Sequence, residues 1–93
     1  MIRSIIVDDE VNNIDTLKKM LDLYIPSVEL VGEATNITDA KKIIEEKEPH
    51  LIFLDVEMPG GNGFELLESL KNVNFNVVFT TAHAAYAIKA IKY

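Results

Sequence analysis

The sequence predicts one α/β domain built on a doubly wound parallel sheet. Two nearly uninterrupted apolar runs, residues 2–7 and 51–54, each stop at an aspartate, which is typical of strands buried on both faces. Strand-like and helix-like segments also alternate four times, at about 20 to 30 residues per unit, which indicates βα units with helices on both faces of the sheet. The chain has 93 residues, the length of a single domain.

The first unit combines a short buried strand with an amphipathic helix. Residues 2–7 form an apolar, β-branched run that ends at the pair Asp8-Asp9. Apolar residues then recur at spacings of three and four, and they predict one apolar stripe along a helix, formed by Val11, Ile14, Leu17, Leu21 and Tyr24. Pro26 helps to close this helix.

The second unit is a weaker strand followed by a capped helix. The strand is predicted over residues 28–31, and residues 32–35 are expected to form a loop. Asn36 or Thr38 could cap the helix, because short polar side chains accept hydrogen bonds from the first free backbone N–H groups. Glu48-Pro49 would end the helix. Its buried face would consist of Ile37, Ala40 and Ile44.

The remaining elements follow the same alternation. A third strand over residues 50–54 runs directly into Asp55, and residues 56–63 are so rich in Gly, Pro and Asn that they predict a loop. A third helix is marked by Phe64, Leu67 and Leu70, and it precedes a fourth strand over residues 77–80. A last amphipathic segment begins near Ala84, includes Lys89 and Lys92, and is predicted to be a helix.

The composition narrows the range of functions. Acidic residues outnumber basic ones by 15 to 9, a net charge of −6, so the chain would repel a phosphate backbone and is a poor candidate for direct DNA binding. It contains no cysteine, which excludes disulfides and thiolate metal sites. No apolar run approaches the roughly 18 residues of a membrane span, and the first is too short for a signal peptide. We expect a cytoplasmic protein without membrane contact.

Carboxylates follow two of the predicted buried strands, where ligands bind in open parallel sheets. If the first and third strands are neighbours, Asp8, Asp9 and Asp55 converge in one pocket, and three like charges so close need a cation. Oxygen ligands without His or Cys favour Mg²⁺. An Asp beside such a metal can attack phosphorus, and Asp55, alone at the end of the most apolar strand, is the candidate. Thr81, after the fourth strand, could hydrogen-bond an added phosphoryl oxygen.

These features together resemble a known family, the receiver domain of two-component response regulators. The landmarks that carry the resemblance, in order and spacing, are Asp8-Asp9, residues 51–55, Met58-Pro59 with Gly63, and Thr81-Ala82. The resemblance covers the whole chain and implies a flavodoxin-like sheet, whose strand order is 2-1-3-4-5. Residues 55–59, 64–67 and 79–83, followed by Tyr86-Ala87, are similar to receivers of the LytTR type, which usually precede a DNA-binding output domain.

By this resemblance, Asp55 accepts a phosphoryl group from a sensor histidine kinase, and Thr81 contacts that group. Mg²⁺ would be bound by Asp9, Asp55 and the backbone carbonyl of Glu57, with Asp8 assisting. Phosphorylation would switch the loop and helix after the fourth strand and control homodimerisation and transcription, with DNA contacted only through an output domain outside this chain. The resemblance implies a phosphoacceptor switch and not an enzyme, although such a switch could catalyse its own phosphorylation and dephosphorylation.

The chain departs from the family pattern near its end. The family has a fifth strand, which opens with a phosphoryl-pairing Lys, and a fifth helix, and neither is found before Tyr93. We therefore expect residues 1–93 to be a receiver that is incomplete at the C-terminus, with strand order 2-1-3-4. Lys89 and Lys92 fall on the predicted last helix and are not assigned the role of the missing Lys. The fourth strand would keep an open outer edge, so either the protein continues or two chains complete one another.

Two other functions stay open. A haloacid-dehalogenase-like phosphatase is one, because Glu57 places a second acid two residues after a nucleophilic Asp55. That family uses Asp there, and it needs a downstream Lys and further acids that this chain does not supply. The other is a pure interaction module, in which the acidic pocket is present but unused because the fifth-strand Lys is absent.

Overall fold

The computed structural model describes residues 1–55, 57–58, 61–70, 74–80 and 89–92. Its strands are β1 Ile2–Val7, β2 Val28–Ala34, β3 Leu51–Asp55, β4 Glu57–Met58, β5 Gly61–Asn62, β6 Asn76–Thr80 and β7 Lys89–Lys92. Its helices are α1 Val11–Tyr24, α2 Ile37–Lys47 and α3 Gly63–Ser69. None of the helices in these ranges is long and apolar enough to cross a membrane.

The four long strands form the predicted parallel sheet. Their spatial order is β2-β1-β3-β6, which is 2-1-3-4 in the order of the long strands along the chain, so the predicted fold class is confirmed. In the central pairs, Val7 lies opposite Leu54, and Leu54 lies opposite Phe79. Because parallel strands point the same way, their carboxyl ends meet at one edge of the sheet. The ends of β1 and β3 therefore lie side by side.

Each face of the sheet buries its own apolar cluster. On one face, Ile6 of β1 and Phe53 of β3 pack with Ile14 and Leu21 of α1. The other face packs against α2 and α3 through a larger cluster that includes Ile5, Val7, Ile52, Leu54, Ala40, Ile44, Leu66 and Leu67. Successive strand residues thus alternate between the two clusters, as the pleat of a strand requires. Burial on both faces explains why the strand sequences are nearly all apolar.

The apolar stripe predicted on α1 is buried only in its middle. Ile14 and Leu21 are buried, and Leu17 packs against the same cluster. Val11 and Tyr24, at the two ends of the predicted stripe, are 59% and 76% exposed and lie outside the core. They occupy the first and last positions of the helix, beyond the part of α1 that covers Ile6 and Phe53.

The predicted last helix is corrected by the structure. Residues Lys89–Lys92 form strand β7, which pairs antiparallel with β6 and places Lys89 opposite Phe79 and Lys92 opposite Asn76. The open edge that we expected on the fourth strand is therefore covered. The physical reason is that the outer edge of β6 presents backbone N–H and C=O groups that need hydrogen-bond partners. A segment that lies along this edge supplies those partners when it forms a strand.

Two further boundaries differ from the prediction. Strand β2 extends to Ala34, past the predicted end at residue 31, with a register irregularity opposite Ser4 and Ile5. The predicted loop over residues 56–63 contains the short antiparallel pair β4–β5. The cap of α2 is confirmed as Asn36, whose side chain accepts a hydrogen bond from the backbone N–H of Asp39 at 2.8 Å.

Arg3 joins β1 to the end of α2, and its removal should weaken the fold. Its guanidinium donates to the carbonyl oxygen of Lys47 and, at 3.3 Å, to that of Glu48, which ends the helix in the left-handed conformation. A cation is favourable at this negative end of the helix dipole. We expect Arg3→Ala to lower the free energy of unfolding by about 1 kcal/mol. Urea denaturation would measure it.

The control for this prediction is Arg3→Lys, which keeps the charge but replaces the two-pronged donor with a single ammonium. We expect it to recover part of the loss. Equal unfolding free energies for wild type and Arg3→Ala would contradict the assigned contact.

Candidate phosphoacceptor and metal site

The carboxylates predicted to meet do meet at the carboxyl edge of the sheet. Asp8 directly follows β1, Asp55 is the last residue of β3, and the pairing of Val7 with Leu54 makes them lateral neighbours. One carboxylate oxygen from each of Asp8, Asp9 and Asp55 lies within 4.8 Å of the others. Asp8 and Asp55 are buried, at 7% and 6% exposure, while Asp9 is half-buried.

The Asp8 carboxyl is held by the backbone just before α1. Its Oδ1 accepts a hydrogen bond from the backbone N–H of Glu10 at 2.9 Å. Burial raises the pKa of Asp8 above its ordinary value, the Glu10 backbone N–H and the Asn13 side chain oppose that rise, and the charges of Asp9 and Glu10 add to it. Without a cation, the ionised Asp8 carboxylate therefore lowers the free energy of unfolding.

This cost predicts the pH dependence of an Asp8→Asn variant. Because the pKa of Asp8 is raised by folding, the folded chain holds the proton to higher pH than the unfolded chain, and stability falls as pH rises through that interval. At pH 7, without metal, we expect Asp8→Asn to be more stable than wild type. The difference should vanish below the ordinary Asp pKa of about 3.9, where both folded and unfolded wild type are protonated.

Thermal unfolding of both chains in a chelator, from neutral to acidic pH, would measure this difference. The Asn oxygen can still accept the Glu10 N–H, so the comparison isolates the charge. A variant that is no more stable than wild type at pH 7 would contradict the cost assigned to Asp8.

Gly63 lets helix α3 begin directly against the acidic site. A Cβ atom at this position would lie 2.9 Å from Cγ of Leu54 and 3.0 Å from the carbonyl oxygen of Asp55. Only glycine avoids both contacts without moving the backbone that carries Asp55. The sequence singled out Gly63 as a landmark, and the structure supplies the physical reason.

Two further residues lie close to Asp55 in the chain or in the sheet. Glu57 lies in β4, two residues after Asp55, and its strand pairs with Gly61–Asn62. Thr80 ends β6 directly opposite Asp55. Thr81, predicted to contact the phosphoryl group, lies outside the described residues, and so does the segment 81–88 that was expected to switch. Their roles remain predictions.

The acidic cluster suits a hard divalent cation. Three carboxylates offer oxygen atoms close enough to share one ion, and two of the carboxylates are buried, where like charges gain most from a neutralising ion. The cluster includes no His, and the chain has no Cys, which disfavours zinc or copper. The residues present therefore fit Mg²⁺.

Comparison with protein families indicates the same kind of domain as the sheet order and the acidic cluster do. The family model described as the response regulator receiver domain matches residues 5–93. The chain belongs to this receiver domain family. The sensory transduction protein LytT of Bacillus subtilis is 38% identical to this receiver over 94 residues, which cover 99% of the chain and 39% of LytT. The receiver therefore spans well under half the length of that relative.

Solved structures of response regulators share the fold of this receiver. The response regulator domain of CheB from Thermotoga maritima has a TM-score of 0.78 and 31% identity, over 88% of this chain and 61% of that one. A DNA-binding response regulator of the LuxR family from Staphylococcus aureus has a TM-score of 0.80 and 30% identity, over 90% of this chain and 71% of that one.

One residue at the receiver's site was not predicted from the sequence. The half-buried Asn13 side chain lowers the pKa of Asp8, although residues 12 and 13 are both asparagine and nothing in their order distinguishes them. The available signal was helical geometry. With the helix starting at Val11, only one of the two asparagines can face back toward the end of β1.

Proposed function

We propose that this receiver is a phosphoacceptor switch, which takes a phosphoryl group on Asp55 from a sensor histidine kinase. The observation that carries the proposal is the meeting of Asp8, Asp9 and Asp55 within 4.8 Å at the edge where β1 and β3 end. Because the family model spans nearly the whole chain, the receiver function takes precedence over the phosphatase and the pure interaction module.

The chemistry starts from a fixed carboxylate. An oxygen of Asp55 forms a new P–O bond while the bond from phosphorus to the leaving group breaks, and the leaving group departs with the electron pair. The product is an acyl phosphate. Asp55 is 6% exposed and ends a strand that is paired on both sides, so its backbone cannot swing away during transfer.

Positive charge is needed because the incoming group is an anion entering an acidic site. Mg²⁺, held by Asp9, Asp55 and the Glu57 carbonyl with Asp8 assisting, would supply that charge to the phosphoryl oxygens. Thr81 would donate a hydrogen bond to one of those oxygens. Since Thr81 follows directly after β6, this bond would couple the added group to the segment 81–88.

The domain that this receiver would control is inferred from its relatives. LytT is more than twice as long as this chain, and the related Staphylococcus aureus protein is a DNA-binding response regulator. We propose that phosphorylation controls homodimerisation and a DNA-binding output domain of the LytTR type, in a cytoplasmic transcription regulator. Residues 1–93 would belong to its receiver. The domain acts as a switch, and any catalysis concerns only its own phosphorylation and dephosphorylation.

Intact-mass measurement would test this function. The chain is incubated with a small acyl or amide phosphodonor, with Mg²⁺ and with a chelator, and then treated with hydroxylamine, which cleaves acyl phosphates. We expect one phosphoryl group that requires Mg²⁺ and is removed by hydroxylamine. Transfer from an autophosphorylated sensor kinase should give the same product. No addition under any condition would contradict the proposal, and so would an addition that resists hydroxylamine.

A further inference from the structure

The backbone of Glu10 connects the Asp8 carboxyl to helix α1. Its N–H donates to Oδ1 of Asp8 at 2.9 Å, and its carbonyl oxygen accepts the backbone N–H groups of Asn13 at 3.1 Å and Ile14 at 3.2 Å. Ile14 is 1% exposed and belongs to the core cluster beneath α1. The donor that holds Asp8 is therefore attached to a turn of helix that the core keeps in place.

The main chain of Asp8 is also fixed, so rotation of its side chain is the freedom that remains. Asp8 directly follows β1, and its own N–H donates to the carbonyl oxygen of Ala34, the last residue of β2, at 3.0 Å. Asp9 and Asp55 each place a carboxylate oxygen within 4.8 Å of one from Asp8, and like charges at that distance repel. Without a donor, the Asp8 carboxylate could turn away from them about its side-chain bonds. The Glu10 N–H opposes that rotation.

The same hydrogen bond also serves the start of the helix. Glu10 is the N-cap residue of α1, and its side chain makes no capping hydrogen bond. The N–H of an N-cap residue has no partner inside the helix, and a side-chain carboxylate can accept it. At α1 the acceptor is the carboxylate of Asp8, on the strand side of the helix. One carboxyl group thus contributes both to the start of α1 and to the acidic cluster.

We infer that Glu10 is a positioning residue, whose backbone N–H orients the Asp8 carboxylate for Mg²⁺ and makes the first turn of α1 a support of the metal site. The inference rests on the proposed function, since it takes Asp8, Asp9 and Asp55 as that site. Glu10 would not contact the ion. Its effect would pass through Asp8, as donors behind metal-binding carboxylates commonly act.

Calorimetric titration of Mg²⁺ into the metal-free chain would test the inference with Glu10→Pro, which removes the N–H. We expect its Mg²⁺ affinity to fall roughly tenfold, the lower end of the effect of such supporting groups. The matched control is Val11→Pro, which places the same residue at the first helical position, where proline is well tolerated. It should bind Mg²⁺ as wild type does. Glu10→Ala keeps the N–H and should lose less affinity than Glu10→Pro.

A double-mutant cycle separates positioning from a change in the backbone. Proline restricts the residue before it, and that residue is Asp9, itself a member of the cluster. If Glu10 acts through Asp8, Glu10→Pro should have little further effect on Mg²⁺ affinity in an Asp8→Ala background, because the side chain that it orients is absent. A full tenfold loss in both backgrounds would overturn the inference.

Amide hydrogen exchange tests the same bond without metal. In a chelator, the Glu10 amide should exchange about tenfold faster in Asp8→Ala than in wild type, because its acceptor is gone. Asp15→Ala, on the exposed surface of α1, should leave that rate unchanged. Thermal unfolding confirms that each variant is folded. Equal exchange rates in Asp8→Ala and wild type, or equal Mg²⁺ affinities for Glu10→Pro and Val11→Pro, would overturn the inference and leave the proposed function intact. No Mg²⁺ binding by wild type would overturn both.

Discussion

Replacement of Asp55 by Asn should reduce phosphoryl transfer to this chain by on the order of 10³-fold or more. The amide keeps the size of the side chain but lacks the anionic oxygen that attacks phosphorus. It also removes one ligand from a cluster of three carboxylates. The measurement is the rate of phosphorylation by intact mass, with a small phosphodonor and with a phosphorylated kinase, at saturating Mg²⁺.

The matched control is Asp15→Asn, which makes the same chemical change on the exposed surface of α1. It should be phosphorylated at the rate of wild type. Circular dichroism without metal would show that both variants are folded, and Asp55→Asn should lose no stability there, since it relieves repulsion among buried carboxylates. Phosphorylation of Asp55→Asn at the wild-type rate would show that the acceptor is another residue.

The second large effect is expected at Gly63, which contributes no side chain to the site. In Gly63→Ala, the new methyl group would lie 3.0 Å from the carbonyl oxygen of Asp55, and both α3 and Leu54 are packed too tightly to withdraw freely. We expect a loss of about 1 to 3 kcal/mol in the free energy of unfolding, the usual cost of overpacking. Mg²⁺ affinity should fall as well, because the shift is transmitted to the backbone of Asp55.

Gly32→Ala provides the comparison for Gly63→Ala. Its Cβ would also meet a close neighbour, Cδ1 of Ile43, but that atom is the end of a flexible, half-buried side chain. The neighbour can rotate, so the loss of stability should be smaller, and Mg²⁺ affinity should not change. Urea denaturation and Mg²⁺ titration of both variants would measure these effects. Equal losses at the two glycines would contradict the role given to the backbone contact at Gly63.

The parts of the fold that the sequence predicts well are those fixed by burial. Strands β1 and β3 are buried on both faces, so their apolar runs have few alternative explanations, and the aspartates mark where burial ends. Their adjacency brings the carboxylates together, which is why the sequence alone predicts the acidic site. The cap at Asn36 was one of two candidates, since Thr38 has similar chemistry.

The parts that escaped prediction depend on neighbours distant in sequence. Whether residues 89–92 form a helix or a strand depends on the edge of β6, which a local apolar pattern does not report. The exposure of Tyr24 depends on how far the sheet extends beneath α1. The effect of Asn13 on the pKa of Asp8 has the same origin, because it depends on how α1 is rotated relative to the end of β1.

The pairing of β1 with β3 also joins parts of the chain that are far apart in sequence. Residues paired across β1 and β3 are 47 positions apart in the chain, as with Ser4 and Leu51, whereas those of β6 and β7 are only 10 to 16 apart. Closing the longer segment costs more chain entropy, and the acidic cluster exists only once β1 and β3 lie side by side. Under the proposed function, a chain without the β1–β3 pair would carry no metal site, so Mg²⁺ would be a ligand of the paired sheet alone. Its binding energy would then be added to the native state and not to states that lack this pair.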